Sequence, residues 1–169
     1  TSLFSGHQLF LGMGPGGAYR LATTADIPVY NFALQTYLSW NWRRYNLTWR
    51  QEISLFAEGN VKVDDIELNS DYGLMTLSFG YKFPLQNERH ISPYIGIAYG
   101  YETLRGGGSP DLRQRSQETG LAIGADFVFS EILESMELYA TGRIMLNSPS
   151  NSTVTRLNSS FVGIGIRMD

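Results

Sequence analysis

Few residues in this chain have the chemistry to catalyse anything. Histidine occurs only at His7 and His90, and cysteine is absent. The lack of cysteine removes a disulfide framework, a thiolate metal site and a thiol nucleophile together. His7 opens an extended segment and His90 falls in a short turn near Glu88 and Arg89. Two such histidines do not make a metal site, so both are expected at the surface or an interface. Carboxylates such as Glu102 and Glu118 could do acid–base work, but nothing in their spacing fixes their separation. Gly12-Met13-Gly14-Pro15-Gly16-Gly17 has the glycine of a phosphate loop. It lacks the following Lys-Ser/Thr and the strand–helix context, and it reads as a flexible loop. Asn46-Leu47-Thr48 fits a glycosylation triplet at a strand start. No catalytic residue, cofactor or metal is assigned on this basis.

Whatever these groups do, extended segments must position them. Period-two alternation recurs along the chain, at about residues 6–14, 28–42, 46–58, 71–84, 92–104, 116–130, 135–146 and 157–168. The connections alternate in length. Those at 43–45, 85–91 and 131–134 are short, with a single helical turn conceivable in the last. Those at 15–27, 59–70, 106–115 and 147–156 are longer and rich in Gly, Pro, Ser, Asn and Asp. An even number of strands, with short turns at one end and long loops at the other, is the pattern of an up-and-down membrane barrel.

The two faces of each strand differ sharply. Met75, Leu77, Phe79, Tyr81 and Phe83 oppose Thr76, Ser78, Gly80 and Lys82; Ile95, Ile97, Tyr99 and Tyr101 oppose Gly96, Ala98, Gly100 and Glu102. The bulky set is free of charge, whereas the other mixes small residues with charges. A soluble barrel would need a polar exterior, and the second set is too small and too sparse in charge to be one. It suits the interior of an eight-stranded barrel, which side chains just fill. The bulky set then faces lipid, where a charge costs roughly 2–4 kcal/mol at mid-depth.

On this reading the lumen collects Arg50, Glu52, Lys82, Glu102, Glu118, Asp126, Glu137, Arg143 and Arg167. Both signs occur, and such charges must pair when desolvated. Trp40, Trp42, Trp49, Tyr81, Phe83, Phe127 and Phe129 gather near the short turns as an interfacial aromatic belt. Tyr30, Tyr99 and Tyr101 begin a second belt toward the long loops. The whole chain, residues 1–169, is expected to be one transmembrane domain. No run of about eighteen apolar residues could form a membrane helix. Only 17% of residues are charged, and the net charge of −3 argues against a nucleic-acid partner. Thr1 in place of a start methionine fits a processed, exported chain.

Ser92-Pro93-Tyr94-Ile95-Gly96-Ile97-Ala98-Tyr99-Gly100-Tyr101 resembles the fifth strand of small opacity-type and outer-membrane-protein-A-like barrels. Glu118-Thr119-Gly120-Leu121-Ala122-Ile123-Gly124-Ala125 and Phe161-Val162-Gly163-Ile164-Gly165-Ile166-Arg167 resemble their later strands. The resemblance implies an all-β, eight-stranded antiparallel barrel in a bacterial outer membrane. Ser39-Trp40-Asn41-Trp42 is also similar to outer-membrane lipid A deacylases, whose catalytic His-x-Ser lies near the outer end of the seventh strand. The matching stretch here, Gly142-Arg143-Ile144-Met145-Leu146-Asn147-Ser148, has no histidine and so no evident general base for a serine. We expect a non-enzymatic, cell-surface barrel plugged by its charges. Its partners would be membrane lipid and lipopolysaccharide, with a protein partner at the long loops, and it would be a monomer. A lipid A-modifying enzyme and a narrow porin-like channel are the alternatives.

Overall fold

A computed structural model describes residues 6–21, 28–63, 65–87, 89–106, 113–133, 136–147 and 156–168. Ten strand segments are present among them: β1 (His7–Leu21), β2 (Pro28–Trp42), β3 (Leu47–Phe56), β4 (Gly59–Val63), β5 (Ile66–Tyr81), β6 (Phe83–Pro84), β7 (His90–Gly106), β8 (Arg113–Leu133), β9 (Met136–Asn147) and β10 (Arg156–Met168). They make eight barrel strands. β4 continues β3 beyond a break at Ala57 and Glu58, and β6 continues β5 beyond Lys82. Each strand pairs antiparallel with its sequence neighbour, and β1 pairs with β10 from Leu11↔Met168 to Arg20↔Ser159. That last ladder closes the sheet and abolishes its edges.

The β3–β4 break is a bulge. Leu55 opposes Gly73 and Gly59 opposes Ser70, so the outer strand carries one residue more than β5. β2 holds it in place: Ala57 donates its N–H to the Phe32 carbonyl at 2.7 Å, and the Asn31 amide donates to the Ala57 carbonyl at 2.7 Å. Asn46 and Asn87 turn the short connections with φ of 52° and 58°, and Asp65 turns the β4–β5 hairpin with φ of 67°. These are residue types that tolerate the left-handed region.

Several strands run further than the alternation alone predicts. The 15–27 loop is wrong in its first half, because β1 continues through Pro15, Gly16 and Gly17 to Leu21. The ladder to β10 leaves Met13↔Ile166 and resumes at Gly16↔Gly163, and Pro15, with no N–H to give, sits in that interval. Most of the 59–70 loop is instead the β4–β5 hairpin. In the 131–134 turn, residues 131–133 continue β8 across irregularities at Val128/Ser130 and Glu131/Leu133, with no helical turn. Gly106, Arg113–Arg115, Asn147 and Arg156 lie in strands rather than loops. Residues 22–27, 107–112, 134 and 148–155 fall outside the described residues.

Side chains pack the interior by size alternation. Phe10, Tyr37, Tyr72, Tyr94, Tyr139 and Phe161 all point inward and are buried. Glycines paired with them on the adjacent strand make room for the rings: a Cβ on Gly124 would lie 2.5 Å from the Tyr94 hydroxyl, and one on Gly165 would lie 2.5 Å from the Tyr139 hydroxyl. Leu74, Met145, Phe161, Phe56 and Tyr72 form an apolar layer with Ala18, Ala33, Ala98 and Ala122. This is the side-chain-filled interior that eight strands enclose.

The outer wall is the reverse. Strand β2 alternates exposed and buried along almost its whole length, with the apolar set outside. Ile97 is 66% exposed and Val162 71%. Leu9, Leu11, Phe32, Leu34, Ile53, Met75, Phe79, Ile95 and Ile164 are exposed in the same way on neighbouring strands. A water-soluble protein rarely shows a contiguous apolar patch of more than a few hundred Å². Here such a surface runs around the barrel.

Candidate functional site: the charged interior

Three tiers of charge cross the lumen. In the middle tier, Arg50 of β3 forms ion pairs with Asp126 of β8 and, at 2.8 Å, with Glu52. Arg143 of β9 reaches across to the same Glu52 and donates to the Ser54 hydroxyl at 3.2 Å. Ser54 in turn donates to Glu52 at 2.8 Å. The Arg50 guanidinium also lies 3.9 Å from the Tyr37 ring centre and 4.9 Å from that of Tyr94. Two cations thus share two carboxylates, with aromatic faces completing the shell. Buried charges persist only when paired and hydrogen-bonded in this way.

The upper tier lies toward the long-loop end. Arg20 of β1 pairs with Glu102 of β7 at 2.5 Å and also bonds Ser70, which donates to Glu102 at 2.7 Å. Tyr72 donates its hydroxyl to Glu118, and its ring centre is 4.5 Å from the Arg20 guanidinium. The lower tier lies at the short-turn end. There Arg167 of β10 pairs with Glu137 of β9 and stacks 4.4 Å from the Phe10 ring centre. Its Nη2 is 2.9 Å from Nε2 of His90. A guanidinium only donates, so His90 accepts at Nε2.

Of the nine lumen residues read from the sequence, Arg50, Glu52, Asp126 and Arg143 meet in one cluster. Glu102 and Glu118 belong to a second, and Arg167 and Glu137 to a third. Lys82 stands apart, half-buried at the lower mouth, and makes no ion pair among the described residues. His90 is not at the surface. It is the first residue of β7, on the inward parity, and is 2% exposed against Arg167. Arg20, the fully buried cation of the upper tier, escaped sequence reasoning because the glycine run before it looks like a loop. Continuing the parity of Phe10, Gly12 and Gly14 through that run would have found it.

The seven aromatic-belt residues face outward. Trp40, Trp42, Tyr81 and Phe83 are exposed, while Trp49, Phe127 and Phe129 are half-exposed. Trp40 opposes Trp49, which opposes Phe79 on the next strand. Trp40 donates its indole N–H to Nδ1 of His7 at 3.0 Å. This places His7 at the short-turn rim among tryptophans. Among the described residues, no group of three His, Asp or Glu side chains could hold a metal ion.

A closed eight-stranded barrel with a greasy exterior and a polar, filled interior is the architecture of the small integral barrels of bacterial outer membranes. No family model matches the sequence, and no curated protein matches it. Solved structures do share the fold. The crystal structure of Neisserial surface protein A superposes with a TM-score of 0.70 at 14% identity, covering 96% of this chain and 98% of that one. A major outer membrane protein from Thermus thermophilus gives a TM-score of 0.64 at 10% identity, covering 95% and 99%. Ail, the attachment invasion locus protein of Yersinia pestis, gives 0.56 at 13% identity, covering 96% and 99%. At these identities the likeness concerns the fold, which fits the opacity-type and outer-membrane-protein-A-like architecture.

Proposed function

We propose that this chain is an outer-membrane protein whose barrel is a closed anchor and whose outer end, built from the long loops and the strand arms beneath them, is the working surface. One observation carries this reading. Every tier of the lumen holds a buried ion pair, and in the upper and middle tiers these join distant strands, so the interior is organised as a plug and not as a water path. The paired charges Arg20–Glu102, Arg50–Asp126 and Arg167–Glu137 link opposite or neighbouring walls at three heights. Reorganising them for conduction would leave buried charges uncompensated, at several kcal/mol each.

Catalysis has less support. In the strand where deacylases carry their histidine, Arg143 is committed to Glu52 and Ser54. A surface or attachment role agrees with the names of two structural neighbours, a surface protein and an attachment invasion locus protein. Planar-bilayer recording of the purified barrel tests the reading. No discrete conductance is expected from the wild type. Stable single-channel steps would make the charged interior a water path and overturn it.

A further inference from the structure

The outer wall changes character at one height. On β7 the outward residues run apolar or aromatic from Ile91 to Tyr101 and then become Thr103 and Arg105. On β8, Gln117 opposes Tyr101, Arg115 opposes Thr103 and Arg113 opposes Arg105. From Ile91 to Tyr101, at about 3.4 Å per residue and a strand tilt of about 40°, the wall rises roughly 25 Å, the height of the apolar band of an outer-membrane barrel. The three arginines therefore stand just above the hydrocarbon, over a rim of tyrosine.

Among the described residues, only one of the three has an ion-pair partner. Arg105 bonds Asp71 at 2.8 Å, but Arg113 and Arg115 make no ion pair among the described residues. All three are exposed. Arg105 sits directly opposite Arg113, and like charges so placed weaken a ladder. An anion between them removes that penalty, and guanidinium forks suit phosphate oxygens in particular.

We propose that Arg105, Arg113 and Arg115 bind the phosphate groups of a phosphorylated glycolipid in the outer leaflet. The proposal rests on the membrane reading above. Height selects a lipid over a soluble anion, because acyl chains lying along the wall below Tyr101 deliver their headgroup to this level. Basic residues at a membrane surface each strengthen anionic-lipid binding by a similar increment, so three acting together change affinity by roughly a hundredfold.

The test uses the full chain folded in detergent micelles, with lipid binding read by native mass spectrometry. The probes are bisphosphorylated lipid A, the same lipid without its phosphates, and inorganic pyrophosphate. The R105Q/R113Q/R115Q variant is expected to bind bisphosphorylated lipid A about a hundredfold more weakly than wild type. R44Q, at the opposite end, should be unchanged, and R105K/R113K/R115K should retain most of the binding. Should the triple glutamine variant fail to fold, R113Q and R115Q singly are expected to lose about fivefold each. Equal binding by a folded variant, or equal binding of the phosphate-free lipid, overturns the proposal. So does pyrophosphate binding as tightly as the lipid. A wild-type chain that never gives a heat-modifiable band contradicts the membrane reading and the proposal together, whereas the other failures touch the proposal alone.

Discussion

Arg50 on β3 and Asp126 on β8 lie 76 residues apart in sequence and face each other across the lumen as an ion pair. Neither is accessible to bulk water, and each depends on the barrel being closed. The pair reports on closure directly. Arg50→Ala leaves Asp126 and part of Glu52 charged and buried, which is expected to cost about 3–5 kcal/mol. Adding Asp126→Asn should recover a substantial part of that loss. Urea unfolding of the two single variants and the double variant in lipid vesicles checks this. Strictly additive losses would mean that the two charges do not interact.

Packing gives a second prediction. A side chain on Gly12 would run into the Tyr37 ring, which also supports Arg50. Gly12→Val is expected to destabilise the barrel by about 1–3 kcal/mol through overpacking. In the Tyr37→Ala background the same substitution should cost much less. A cost independent of residue 37 would show that Gly12 is needed for another reason.

The outer wall gives a third. Ile97 lies near the middle of the apolar band and Phe83 near its short-turn edge. Ile97→Arg is expected to cost about 2–4 kcal/mol and Phe83→Arg about 0–1 kcal/mol. Equilibrium unfolding from vesicles measures both. Equal and small effects would place Ile97 in water.

Much of this was legible in the sequence, and the gaps have physical causes. Alternation such as Met75 to Phe83 reports directly which face is which, because the side-chain period of a strand is two. The charges of the middle tier were visible for the same reason. Glycine and proline misled at two places. Gly16 lies beneath the Phe161 ring, so it is small to admit an aromatic and not to bend a loop. Pro15 fits where one ladder skips. Loop-like composition therefore hid the upper half of β1, and Arg20 with it. His90 was misplaced because β7 begins two residues earlier than the alternation suggests, which takes His90 out of the turn and into the inward set with Ser92 and Tyr94. Partners such as Arg50 and Asp126 could not be read at all, since which walls face each other follows from closure and stagger, not from any local pattern.

The central claim is that the bulky set faces hydrocarbon while the charged set is sealed inside. The chain has no cysteine, so single cysteines can be introduced one at a time without background. Spin labels at Ile95, Ile97 and Tyr99 in vesicle-embedded barrel should be accessible to oxygen and shielded from a water-soluble nickel relaxant. Labels at Thr103 and Arg105 should show the opposite. Strong nickel accessibility at Ile97, equal to that at Arg105, would contradict the membrane-spanning barrel described here.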